Sequence, residues 1–382
     1  MGNILRVIIL FTQTMLAYGV LFLAPNIVNG LPLGYIALSA MLFIRFGITV
    51  SPIMVHKASL LLTIACSSIF LIGGLRIALG QEDYLFWPIH AVAGAIAFSI
   101  WADHVALFRQ RSQRILTLVA ILLLSIQIVI LLYSIFVFTG ARLHFGFGPN
   151  MLYRLILLNL GVIIFLVSNS KLKFIILVSS GVITALLVIA IGSRGGLLAF
   201  LTLIVVFCFH RFGERVAVVA AGLVCLGAVG AFTVMEELPR LEAFGRLTYF
   251  DIQNNSEAVR LYAFDEFFNW AKDARLLQLI FGQGFGQEPF TFYPHNLFIE
   301  LIFSSGVIFG ILVSGFAVLG FFQSLRADEP FVFGILFAPF FVATQLSGSL
   351  LDNYALFSLL IWRYVVLSPL HRHRTTARTQ PL

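Results

Sequence analysis

Residues Ile115–Phe138 read ILTLVAILLLSIQIVILLYSIFVF, an unbroken apolar run without a single charged side chain. An α-helix rises about 1.5 Å per residue, and roughly 20 apolar residues cross the ~30 Å hydrocarbon core of a bilayer. The stretch therefore has the length and character of a membrane span. Runs of the same kind recur outward from it. On the amino-terminal side they are Ile4–Leu23, Leu33–Val50, Ala58–Leu79 and Phe86–Phe108. On the other side come Leu152–Val167, Phe174–Ile191, Gly195–Phe209, Val216–Met235, Asn296–Gln323, Phe331–Leu346 and Tyr354–Leu367. The pattern predicts an all-α integral membrane protein of about 12 transmembrane helices.

Composition agrees. The chain is 60% hydrophobic and 11% charged and carries 40 Phe residues, with a mean hydropathy of +1.01. A water-soluble domain carries about 25% charged residues because its surface must face water. The formal charge of +7 does not point to nucleic acid, because the basic residues sit in short loops between apolar runs. Cys66, Cys208 and Cys225 fall inside apolar runs without metal-ligand spacing, so they read as small buried hydrophobes. The first apolar run has no small-residue cleavage pattern after it, and no cleavable leader is expected.

Loop charge sets the orientation. With the amino terminus in the cytoplasm, the inside loops hold Lys57, then Arg109, Arg111 and Arg114, then Lys171 and Lys173. Arg211, Arg215 and Arg326 follow, and then a tail with His371, Arg372, His373, Arg374 and Arg378. The short loops of opposite side are almost free of Lys and Arg, as the positive-inside rule requires. The expected organisation is nine spans over 1–235, a long outer loop over 236–295, three spans over 296–370 and a basic cytoplasmic tail over 371–382.

The outer loop has structure of its own. Asn254 followed by Glu257 fits a helix start. Val259, Tyr262, Ala263, Phe267, Trp270 and Ala274 then recur at helical spacing, which predicts an amphipathic helix on or over the bundle. Gly282-Gln283-Gly284-Phe285-Gly286 lacks the preceding strand that a nucleotide-binding turn needs, so it reads as a tight return to the membrane. Asn254-Asn255-Ser256 matches a glycosylation sequon in letters only.

Polar chemistry concentrates at two span starts that face outside. Ser193-Arg194-Gly195-Gly196 opens one and Pro294-His295-Asn296 opens the other. A helix amino terminus attracts anions through its unbonded N–H groups. Arg194 adds a fork-shaped donor suited to phosphate oxygens, and Arg246 and Arg260 in the outer loop can join it. His295 is the natural proton carrier near neutral pH. Together these groups suit a diphosphate held at the outer face beside a general base. The plainer reading, in which each Arg only snorkels to the interface, stays open. Glu300, one turn in from Asn296, and Asp352, at the outer start of the last span, are carboxylates of functional interest. Arg76, near an outer helix end, can contribute to the anion site or merely anchor, and Arg142, His144 and Arg154 flank a further outer loop where they can contact substrate. Arg45 lies near a cytoplasmic end and reads as an anchor.

In their order and placement these pieces resemble the O-antigen ligase and O-antigen polymerase superfamily of bacterial envelope glycosyltransferases. The resemblance rests on Ser193-Arg194-Gly195-Gly196-Leu197-Leu198-Ala199, Arg246-Leu247 and Ser256…Arg260. It continues through Gly282-Gln283-Gly284-Phe285-Gly286 and Pro294-His295-Asn296-Leu297-Phe298-Ile299-Glu300 to Gly306 and Gly310. It implies a GT-C-type helical bundle in the inner membrane. The implied enzyme is inverting, needs no metal or other cofactor, and moves a glycan from undecaprenyl diphosphate to an acceptor hydroxyl at the periplasmic face. Carried over, Arg194, Arg260 and Arg246 grip the diphosphate, and His295 deprotonates or orients the acceptor. Asn296 and Glu300 match the motif without an assigned role. The acceptor is a lipid-linked repeat for a polymerase or lipid A–core for a ligase, and the Pro294–Glu300 motif leans slightly to polymerase. A transporter or flippase of lipid-linked sugars is the rival class. It predicts internal repeats and polar groups at the membrane midplane, neither of which the sequence displays.

Overall fold

The computed structural model describes residues 3–23, 27–28, 31–48, 86–137, 143, 149–167, 170–216, 219, 222, 255–283, 296–326, 331–346 and 354–367. Its helices are α1 (Asn3–Leu23), α2 (Leu33–Ile48), α3 (Phe86–Arg111), α4 (Gln113–Phe136), α5 (Pro149–Val167) and α6 (Lys173–Ile191). There follow α7 (Arg194–Phe212), α8 (Asn255–Asp273), α9 (Leu276–Phe281), α10 (Leu297–Ser324), α11 (Phe331–Leu346) and α12 (Tyr354–Ile361). The last runs into a π-helical turn, Trp362–Leu367. A two-residue antiparallel pair, Ile27–Val28 with Leu31–Pro32, joins α1 to α2.

Among the described residues, seven helices are long and apolar enough to cross a membrane, and two shorter apolar helices accompany them. Their boundaries lie within a few residues of the runs read from hydropathy. Two proposed spans, Ala58–Leu79 and nearly all of Val216–Met235, lie outside the described residues. The inside loop expected after Phe108 is shorter than expected. α3 continues through Arg109 and Arg111, and the single residue Ser112 separates it from α4.

The chain forms two compact units. The first comprises 1–115, 284–287 and 350–382. In it α3 packs against α1 and α12, and Phe98 stacks on Trp362 with centroids 5.6 Å apart. Two of its buried polar contacts join separate helices: Trp101 Nε1 donates to Thr14 Oγ1 at 3.2 Å and Gln13 Nε2 to the Met41 carbonyl at 3.3 Å.

The second unit comprises 116–283 and 288–349. α5 and α11 are its most enclosed helices, while α4 and α6 turn long apolar faces outward, among them Ile128, Val129, Leu132, Val178, Val182 and Leu186. Where the solvent is lipid, such outward Leu, Ile and Val are the expected surface. Gln127 Nε2 donates to Thr184 Oγ1 (3.2 Å) and Asn159 Nδ2 to the Leu123 carbonyl (3.3 Å), which gives each amide nitrogen a partner inside an apolar bundle. α7 and α11 run antiparallel. His210, near the end of α7, touches Gly334 near the start of α11, and its Nε2 lies 2.8 Å from the Ser324 carbonyl at the end of α10.

α10 departs from the sequence expectation of one continuous span. A straight helix over Leu297–Ser324 would be about 42 Å long, well beyond the hydrocarbon thickness. Instead it breaks at Gly306, which sits at φ 83°, ψ 166°. The limb before the break folds back on the limb after it. Residues eight apart in a straight helix lie about 12 Å apart, yet a Cβ added to Gly310 would stand 2.6 Å from Ile302 Cα. The second limb, about 27 Å long, is span-length by itself. The first limb carries Asn296 and Glu300, so a depth for Glu300 counted along an unbroken span does not hold.

Candidate functional site

α6 ends and α7 begins within a tight connection, with Gly192 in the left-handed region and Ser193 extended. Ser193 Oγ accepts from the Gly196 N–H at 3.2 Å, so it caps α7. Arg194 is the first helical residue and is half-buried. Gly196 lies flat on the Tyr153 ring of α5, and a Cβ there would stand 2.9 Å from Tyr153 Cγ. The Ser-Arg-Gly-Gly pattern thus has a local cause: Ser caps, Arg stands at the opening, and the second Gly lets α7 close on an aromatic ring.

That contact involves the neighbour of a residue that the sequence offered as a substrate contact. Arg154, next to Tyr153, is 1% exposed, with its guanidinium carbon 5.8 Å from the Tyr153 ring centroid. A charged side chain enclosed in a span-length helix is costly and marks a functional position by default. The available signal was an Arg embedded in the run Leu152–Val167.

The second motif is built alike. Asn296 Oδ1 accepts from the N–H groups of Phe298 (3.0 Å) and Ile299 (3.2 Å), so it caps the first limb of α10. This supplies the structural role that the motif match left unassigned. It also corrects the expectation of free amide ends. The third N–H of α7 and the second and third of α10 are already bonded to capping side chains.

α8 begins at Asn255, one residue after the expected cap, and docks on the same limb. Phe267 and Trp270 pack against Ile299 and Phe303, with the Trp270 and Phe303 rings 4.7 Å apart. The stripe predicted from spacing is narrower than expected, since Tyr262 is 49% exposed. Arg260 lies on α8 two turns before Phe267, about 10 Å along the helix. Glu300 is half-buried, beside Ile299.

Both motifs lie in the second unit, but the start of the second is set back from the break: Phe298, two residues after Asn296, packs on Phe341, the ring on which Phe321 also stacks. From the contact between His210 and Ser324, α7 leads back about 24 Å to Arg194, and the second limb of α10 leads back about 27 Å to Gly306. Both helices pack along α11 and run in the same direction. Arg194 and the broken end of α10, with α8 attached, therefore lie opposite His210. Arg246, His295, Asp352, Arg76, Arg142 and His144 lie outside the described residues.

No curated protein and no solved structure matches the chain. One family model, described as O-antigen ligase, matches residues 179–314, from within α6 to just beyond the break in α10. The Arg194 start, α8, α9 and the broken α10 fall inside that stretch, whereas Tyr153 and Arg154 lie before it, and over it the chain is similar to the O-antigen ligase family.

Proposed function

We propose that this protein is an inverting, metal-independent glycosyltransferase of the bacterial inner membrane. It moves a glycan from undecaprenyl diphosphate to an acceptor hydroxyl at the periplasmic face. The observation that supports the reading is that the Arg194 helix, the limb capped by Asn296 and the Arg260-bearing helix packed on that limb all belong to one helical unit.

The chemistry follows from charge. The acceptor oxygen attacks the anomeric carbon from the face opposite the diphosphate, and the carbon–oxygen bond to the diphosphate breaks. Negative charge grows on the departing phosphate oxygens. Guanidinium groups of Arg194, Arg260 and Arg246 neutralise it, and fixed cations of this kind are usually the largest catalytic contribution. His295 removes the acceptor proton, a step that typically contributes about 10²–10⁴-fold. The polyprenyl tail stays in lipid throughout, beside an apolar bundle.

Reconstitution into vesicles with an undecaprenyl-diphosphate glycan tests this. Lipid-linked repeats and lipid A–core are offered separately, with EDTA present. A glycan-transfer product in chelator is expected, and its identity separates polymerase from ligase. Movement of the donor across the bilayer without transfer would favour the transporter class and overturn the proposal.

A further inference from the structure

The sequence assigns everything between the ninth and tenth spans to an extramembrane loop. α9 does not have the surface of one. It reads Leu276-Leu277-Gln278-Leu279-Ile280-Phe281, and leaves Leu276 71% and Leu277 56% exposed, with Phe281 exposed beside them. Bare apolar groups massed in so short a helix mark a contact surface.

The neighbouring backbone says what covers them. Phe281 precedes Gly282, which packs backbone to backbone on Gly306. From Gly306 the second limb of α10 starts with Val307 and Ile308, and its exposed stripe continues through Ile311, Leu312, Phe316 and Leu319. That stripe, at a spacing of three and four, is the outward face of a span-length apolar helix. α9 ends at Phe281, next to the Gly282–Gly306 contact from which this stripe starts. Immediately before α9, Lys272 and Arg275 are exposed, where their charges can meet lipid phosphates while α9 sits deeper.

We infer that α9 is embedded in the leaflet at the Arg194 end of the molecule, its exposed face covered by phospholipid acyl chains. At about 9 Å it is too short to cross, so it enters one leaflet only. Because its end is locked to the break in α10, this anchor sets the height of the limb that carries Asn296 and Glu300 relative to the bilayer surface.

The test uses the full-length protein in nanodiscs of phosphatidylethanolamine and phosphatidylglycerol, in a background with Cys66, Cys208 and Cys225 replaced by Ala. An environment-sensitive fluorophore is attached to Leu277→Cys, Phe281→Cys or Asp273→Cys. Nitroxide near the headgroup end of the acyl chain should quench the first two severalfold more than aqueous iodide does, with blue-shifted emission. The Asp273→Cys probe should show the reverse order. Iodide quenching at Leu277→Cys equal to that at Asp273→Cys overturns the inference. So does protection that vanishes when each disc holds one copy, since a second copy would then be the cover.

Discussion

Gly282 and Gly306 meet backbone to backbone. Gly282, at φ 79°, closes on the Ser304 carbonyl and the Gly306 amide, while Gly306 closes on the Ile280 carbonyl and Phe281 amide. The Gln283 N–H donates to the Phe303 carbonyl at 2.8 Å, so the end of α9 satisfies a carbonyl exposed by the break in α10. Two glycines far apart in sequence thus build one joint, and the joint holds the limb that carries the second motif.

Gly306→Ala should therefore be costly. Positive φ strains any residue with a Cβ by about 1–3 kcal/mol, and here the Cβ also meets main chain that cannot move aside. Thermal unfolding in detergent should show a lowered midpoint, and glycan transfer should fall with it. Gly181→Ala, where nothing lies within 4 Å of the added Cβ, should leave both unchanged. Equal behaviour of the two variants would remove the joint from the account.

Arg194→Ala is expected to lower transfer by about 10²–10³-fold, the usual cost of removing one fixed donor from a developing anion. Membrane insertion and unfolding temperature should be unaffected. Arg194→Lys should recover only part of the rate, since an ammonium lacks the planar two-pronged fit to phosphate. Initial rates in reconstituted vesicles decide the matter, and a wild-type rate for Arg194→Ala rejects the assignment.

Asn296 is read as a cap, so chemistry that caps should replace it. Asn296→Ser and Asn296→Asp should retain stability, whereas Asn296→Ala should lose about 1 kcal/mol. Full activity in Ser and Asp variants supports a structural role. Loss of transfer in Asn296→Ser at unchanged stability would instead mean that the amide touches substrate.

His295→Ala should change the pH profile as well as the rate. A general base must be neutral, so transfer should fall toward acidic pH and level off once the base is neutral. In His295→Ala that fall should be absent. A variant that keeps the acid limb of the profile would show that another group titrates.

Arg154→Gln tests the enclosed cation beside the Arg194 opening. Donor KM should rise at little cost to insertion, because Tyr153 and its contact with Gly196 remain. Unchanged KM with a lowered unfolding temperature would make Arg154 a purely structural charge.

Hydropathy alone placed the boundaries of α1, α4, α6 and α11 to within a few residues, because transfer from water to lipid is a local property summed along the chain. Ser193, Arg194 and Asn296 were legible as polar residues opening apolar runs, whereas the capping roles of Ser193 and Asn296 came from the structure. Tertiary contact decided the rest. Whether Gly306 continues a helix or breaks it cannot be read from Gly306, since glycine occupies both signs of φ with similar ease. The answer lies in the backbone of Gly282 and Phe281, which only folding brings there. Spacing offered Tyr262, Phe267 and Trp270 as one buried stripe, and the width of the α10 limb selected Phe267 and Trp270. Arg154 reads as a charge flanking an outer loop in the sequence, and its near-complete burial beside the Tyr153 ring is decided by packing. Local free energies wrote the helices into the sequence; the joints between them depend on pairs of surfaces that no single segment contains.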